Sequence, residues 1–194
     1  MDQAFAVDAA PRLRRFVAGF DELLAHAEDE AQIVAQGSAL LRELLAHDDW
    51  LPAPAAEPHP EYYRQYLLYR DPAARFSVVS FVWGPGQLTP IHNHTVWGLV
   101  GLLRGAEITQ NYARRADGTL APHGAPLRLE AGQVTAVSPT IGDIHQVFNA
   151  YKDRVSIGIH VYGADIGAIA RSVFTADGGA RPFRSGYANV DVNP

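Results

Sequence analysis

Leu13, Phe16, Val17, Phe20, Leu23 and Leu24 recur at three- and four-residue intervals, and Ile33, Val34, Leu40, Leu41, Leu44 and Leu45 repeat the pattern. This spacing gathers apolar side chains on one stripe and predicts two amphipathic helices over residues 11–47, joined near 27–30. Such stripes are suited to covering the side or end of a sheet. The link Leu51-Pro-Ala-Pro-Ala-Ala-Glu-Pro-His-Pro60 then bars helix and strand, because proline lacks the backbone donor and restricts the residue before it. From Tyr62 the texture changes. Residues 76–83, 97–103, 107–113, 133–137 and 154–162 are short runs rich in β-branched or aromatic residues, separated by Gly, Pro and Asp, and they predict an all-β barrel. Asp117-Gly118 marks a hairpin turn, with a longer loop over 116–126 as the alternative. Residues 163–194 are rich in Gly, Ala and Arg. A helical turn is expected only over 166–174, the rest wrapping the barrel.

The 194 residues suffice for one domain with a sizeable core, divided into a helical part (1–50), a barrel (62–174) and a C-terminal tail (175–194). Net charge is −5 with scattered basic residues, which gives no footprint for nucleic acid and no polybasic membrane patch. The N-terminus lacks the basic start and apolar run of a signal peptide and no segment approaches a membrane span, so the expected location is the cytoplasm. No protein partner is inferred. The absence of cysteine excludes disulfides, cysteine-ligated zinc, iron–sulfur clusters and a cysteine nucleophile. Metal chemistry would rest on His and oxygen ligands.

His92-Asn-His94 supplies the candidate site, because residues two apart on an extended strand share a face and can bind one ion. The pair sits in Gly86-Gln-Leu-Thr-Pro-Ile-His92-Asn-His94, and His145 sits in Gly132-Gln-Val-Thr-Ala-Val-Ser-Pro139-Thr-Ile-Gly142-Asp-Ile-His145-Gln-Val-Phe-Asn149. The two segments resemble the first and second cupin motifs in order, and imply a mainly β fold: a cupin barrel (double-stranded β-helix, jelly-roll) with N-terminal helices. Typical cupins place a glutamate ligand beyond the second histidine with three or four residues intervening, where this chain has Gly98 and Leu99. Three neutral imidazoles would leave a divalent ion with its full charge, suited to an anionic substrate. Of the remaining histidines, His26 and His47 lie on the helices as surface residues and His59 and His123 lie in loops.

Residues 76–112, with Trp-Gly-Pro-Gly-Gln-Leu-Thr-Pro-Ile-His-Asn-His-Thr-Val-Trp-Gly, and Ser156-Ile-Gly-Ile-His160-Val-Tyr162-Gly resemble the thiol dioxygenases of the cysteine dioxygenase type, and among them the bacterial 3-mercaptopropionate dioxygenases. The resemblance spans about residues 62–174. It implies a mononuclear non-haem Fe(II) held by His92, His94 and His145, although the ligand chemistry also admits zinc. It implies a small thiol carboxylate and dioxygen as substrates, with a sulfinic acid as product. Of that family's Ser-x-His-x-Tyr run beside the metal, His160 and Tyr162 are present as catalytic candidates. The serine position is Gly158, and Ser156 lies roughly 6–7 Å further along the strand. No cysteine–tyrosine crosslink can form, so Tyr162 is expected to be a free phenol. Cysteine dioxygenases hold the substrate carboxylate with an arginine at the position of Gln65, next to Arg64. The mercaptopropionate enzymes carry glutamine there and use an arginine at the spacing of Arg171, whose planar fork matches a carboxylate. Trp83, Trp97 and Tyr151 read as core or pocket wall. The competing readings are a cysteine dioxygenase, a cupin dioxygenase acting on a non-thiol, and a non-enzymatic metal- or ligand-binding cupin.

Overall fold

The computed structural model describes residues 10–190. Two helices come first, α1 (Pro11–His26) and α2 (Glu30–Leu45), joined where the sequence places the break. Asp29 ends the joint by accepting the Gln32 backbone N–H at 2.8 Å, a side-chain cap that satisfies one free helix donor. A 3₁₀ turn, Ala53–Ala56, occupies the proline-rich link.

Eleven strands follow: β1 (Arg64–Arg70), β2 (Ser77–Trp83), β3 (Ile91–His92), β4 (Gly98–Arg104), β5 (Ala106–Arg114), β6 (Leu120–Glu130), β7 (Val134–Val137), β8 (His145–Asn149), β9 (Ser156–Tyr162), β10 (Arg171–Phe174) and β11 (Ala180–Phe183). They form two antiparallel sheets, ordered β1-β2-β9-β4-β7 and β11-β10-β3-β8-β5-β6. The consecutive strands of the motifs alternate between the sheets, as in a double-stranded β-helix.

The helices cover the outer face of the five-stranded sheet. Phe20, Leu41 and Leu45 pack there with Val78, Val82, Leu99, Ile157, Ile159 and Val161. Because β2 and β9 are covered on both faces, every residue in them is buried, which is why they read as unbroken apolar runs and not as alternating ones. The inward face of β9 carries the even-numbered residues: Gly158 pairs with Phe81, His160 with Val79 and Tyr162 with Ser77. In the six-stranded sheet β8 alternates instead, burying His145, Val147 and Asn149 while Gln146 and Phe148 are only partly covered.

Two local readings change, and the choice between a hairpin turn at Asp117-Gly118 and a longer loop falls to the turn. Residues 166–174 hold no helix: a short turn in which the N–H groups of Ala168 and Ile169 donate to Asp165 O precedes β10, whose pairing with β3 and β11 decides its conformation. Residues 116–126 are not one long loop. The turn at Asp117-Gly118 is tight, with Arg115 N donating to Thr119 O at 2.8 Å, and β6 begins at Leu120. The second change concerns the tail, which contributes β11 and then returns to β1, where Ala188 N donates to Gln65 O at 2.7 Å. No helix among the described residues is long and apolar enough to cross a membrane.

Candidate metal centre

β3 is only two residues long, and it places His92 directly opposite His145 of β8. The strand therefore ends before His94. Asn93 carries the extended path onward by bonding to β10: its N–H donates to Ser172 O at 3.1 Å and its Oδ1 accepts Ser172 N–H at 2.8 Å. His94 thus returns to the inner side although no strand runs through it. Thr95 then turns the chain with a φ of 64°, and Asp143 fixes the corner by accepting from the backbone N–H groups of His94 and Thr95, both at 2.9 Å.

The three rings form a near-equilateral triangle, with centroids 4.9 Å apart for His92 and His94 and 4.7 Å for the other two pairs. All three side chains are buried, and one nitrogen from each lies within 4.8 Å of the others. His92 Nδ1 is 3.0 Å from Pro90 O and His94 Nδ1 is 3.0 Å from Asp143 Oδ1. These contacts occupy the outer nitrogens of both rings and leave the Nε2 atoms as the ligating ones. Burial drives the pKa of all three histidines down, which keeps them neutral and ready to donate lone pairs. Donor type, burial and orientation fit a divalent transition metal.

Gly98 stands where typical cupins have the acid, and it is paired with Tyr162 across β4 and β9. A Cβ there would come within 2.7 Å of the Tyr162 ring, so the phenol fills the space of the missing carboxylate. The ring lies against His94 at a centroid distance of 5.5 Å, and its hydroxyl is 2.9 Å from His160 Nδ1. His160 stacks on Phe81 at 4.2 Å, and burial lowers its pKa to about 3. Burial raises that of Tyr162 well above the ordinary tyrosine value, so the phenol is un-ionised. The Ser156 hydroxyl is buried and meets no partner, and so it does not replace the absent serine.

β10 pairs Val173 with His92, so Arg171, two residues back on the antiparallel strand, falls on the inner face beside His94. Its side chain is 4% exposed, donates to Ser185 Oγ at 2.7 Å and lies 4.5 Å over the Phe183 ring. It forms no ion pair with an acid of the described residues, and its Nε has no partner. Burial lowers its pKa, and the nearby Tyr162 and Tyr63 oppose that effect. Gln65 and Arg64 sit on opposite faces of β1. Gln65 is opposite Phe81 and points inward with its Oε1 unpartnered, whereas the Arg64 guanidinium donates to Tyr66 Oη at 3.0 Å on the helix side. A cleft of about 520 Å³ opens over Tyr63, Arg64, Gln65, Phe183 and Ser185. The structure thus gathers His92, His94, His145, His160, Tyr162, Arg171 and Gln65 at one end of the barrel, while Arg64 lines the same cleft with its guanidinium bonded to Tyr66. Of the aromatic residues, Trp83 is core, Trp97 stacks on Phe20, and Tyr151 is covered by Arg128 and Arg154. His26 and His47 are exposed; His59 stacks on Tyr62, and His123 lies on β6.

Two acids near the site, the partly buried Asp143 and the buried Glu107, escaped the sequence reading. Asp143 could have been flagged by its place two residues before His145. The sign for Glu107 is subtler: a lone charge beginning a strand after the apolar run of β4.

No family model matches the chain. Among solved structures it is similar to a cupin superfamily protein from Desulfitobacterium hafniense, at 14% identity over 61% of this chain and 94% of that one, with a TM-score of 0.45. It is also similar to a double-stranded β-helix domain protein from Klebsiella pneumoniae, at 14% identity over 70% and 97%, TM-score 0.47. A cupin 2 conserved barrel domain protein from Salinispora arenicola matches at 20% identity over 61% and 91%, TM-score 0.44. The protein is a mainly β barrel with the strand alternation of a double-stranded β-helix, two N-terminal helices and a candidate three-histidine centre. That combination is compatible with a metalloenzyme.

Proposed function

We propose that this protein is an Fe(II)-dependent thiol dioxygenase that converts a small thiol carboxylate, 3-mercaptopropionate as the first candidate, into its sulfinic acid. One thiol and one dioxygen give one sulfinic acid, both oxygen atoms ending on sulfur. An iron(II) ion held by His92, His94 and His145 would supply open coordination positions for thiolate and dioxygen and the electrons that activate the latter. The carrying observation is the buried Arg171 guanidinium, which no carboxylate among the described residues neutralises, next to three neutral imidazoles. A buried cation without a partner is costly, and a carboxylate ligand with two acceptor oxygens would relieve that cost while fixing the substrate's orientation. Tyr162 and His160 then stand beside the reacting end to donate a hydrogen bond.

The test is dioxygen uptake by iron-quantified protein with 3-mercaptopropionate and with L-cysteine, together with identification of the product. Sulfinate formation faster with 3-mercaptopropionate is expected. Uptake with neither thiol, or with phenols only, would move the reading to a non-thiol dioxygenase or a binding cupin, and a preference for L-cysteine would make cysteine dioxygenation the better assignment.

A further inference from the structure

Deep in the barrel, next to the His160–Tyr162 pair, lies a group that the proposed reaction does not use. Glu107 projects inward from β5, opposite Asn149 of β8, and is 1% exposed. Neither carboxyl oxygen has a hydrogen-bond partner, and neither does His160 Nε2. A fully buried acid with no partner is among the least stable arrangements a core can hold, unless something pairs with it.

Gly158 reveals the pairing. A Cβ built on that glycine would lie 2.6 Å from His160 Nε2 and 3.0 Å from Glu107 Oε1. The imidazole therefore leans along β9 into the notch left by the absent side chain, and the carboxyl reaches the same notch from the opposite sheet. Any side chain at 158 would push the two apart.

We propose that Glu107 is a positioning residue for His160, its carboxyl bonding to Nε2 through the notch at Gly158 so that Glu107, His160 and Tyr162 form one hydrogen-bonded relay. The two orphan atoms flank one empty position, and the proposed bond closes across it. Burial raises the Glu107 pKa to about 8, against a smaller opposing pull from the Trp83 indole, and lowers that of His160 to about 3, so burial favours the protonated carboxyl and the neutral imidazole. Each direction leaves one proton to find an acceptor outside the relay, and only one of them leaves it on the side of the metal centre. Glu107 O–H donates to Nε2, Nδ1–H donates to Tyr162 Oη, and the phenol O–H is left for a group bound at the metal centre. In the opposite direction the carboxyl O–H has no acceptor, since its other neighbour, the Trp83 indole, is itself a donor. Glu107 thereby sets the imidazole tautomer, and the tautomer sets where Tyr162 points. This arrangement does not depend on the substrate; its contribution to turnover rests on the dioxygenase reading above.

The experiment begins with metal-free protein labelled with ¹⁵N-histidine, His160 being assigned by the signal lost in His160→Asn. Two-bond ¹⁵N–¹H spectra at pH 7 should show His160 protonated on Nδ1 in the wild type and in Glu107→Gln, whose amide N–H can donate to Nε2. Glu107→Leu, and Gly158→Ala, which fills the notch but keeps the carboxyl, should shift the proton toward Nε2. Protonation on Nε2 in the wild type overturns the proposal whatever the variants do, and so does a wild-type tautomer in Glu107→Leu. With iron-loaded protein, Glu107→Leu should lower kcat at least tenfold with KM within twofold, and Glu107→Gln should stay within threefold of wild type. Equal losses in the two variants would also overturn the positioning role. If no thiol is turned over by any form, the dioxygenase reading falls, and the tautomer still decides the role of Glu107.

Discussion

Under the proposed function, Arg171 is the residue on which substrate recognition turns. Its guanidinium keeps one hydrogen bond to Ser185, lies over Phe183 and has a further donor unused, so a bound carboxylate would meet a fork already oriented. Arg171→Ala is expected to raise KM for the thiol carboxylate about 100-fold, corresponding to about 3 kcal/mol for two charge-assisted hydrogen bonds, with iron content unchanged. Steady-state kinetics beside metal analysis check this. Arg64→Ala is expected to leave KM within twofold, because that side chain is turned toward Tyr66. At this scale the clustering of the three candidate ligand histidines and the nearness of His160 to Tyr162 were legible, since short spacings and motif order carry them. The roles of Asp143 and Glu107 were not. Each depends on a partner that the fold brings from another strand or loop, and no local pattern encodes that meeting.

Elements differ in legibility for the same reason. The stripes of α1 and α2 and the runs of β2, β4 and β9 declare themselves because helix and sheet bury each other's apolar faces. β6 was hidden by Pro122, Gly124 and Pro126. It is the edge strand of its sheet, where a missing backbone donor is tolerated. β10 was hidden by apolar residues at helical spacing, and pairing with β3 and β11 overrides that local tendency. Phe20 shows what the helix layer contributes. It is fully buried, with its ring 5.1 Å from Phe76 and 5.9 Å from Trp97, so it ties α1 to the sheet. Phe20→Ala should lower the unfolding free energy by about 3–5 kcal/mol, measured by denaturant titration, without changing metal content at low denaturant.

Across the whole molecule the buried ionisable groups shape stability against pH. His92, His94, His145 and His160 have lowered pKa values, so below about 6.5 the unfolded chain binds protons that the folded chain refuses, and stability falls as pH drops. Glu107 acts in the opposite sense. Its folded pKa of about 8 lies above the ordinary 4.5, so across that window stability falls as pH rises. Each group contributes a slope of about 1.4 kcal/mol per pH unit within its window. Four histidines outweigh one acid below 6.5, and only the acid acts between 6.5 and 8. The metal-free protein should therefore be most stable near pH 6.5, and Glu107→Gln should flatten the alkaline side. Thermal unfolding across pH 5–8 checks both; a melting temperature that keeps climbing to pH 8 would contradict the account.

Asp143 carries a consequence for the site without an ion. Its carboxylate reaches from the loop that delivers His145 to the corner that delivers His94, locking the two segments with bonds that need no ion. If the site takes a metal, its removal by a chelator is therefore expected to empty a standing site without dismantling the barrel, and the far-UV circular dichroism spectrum should be retained.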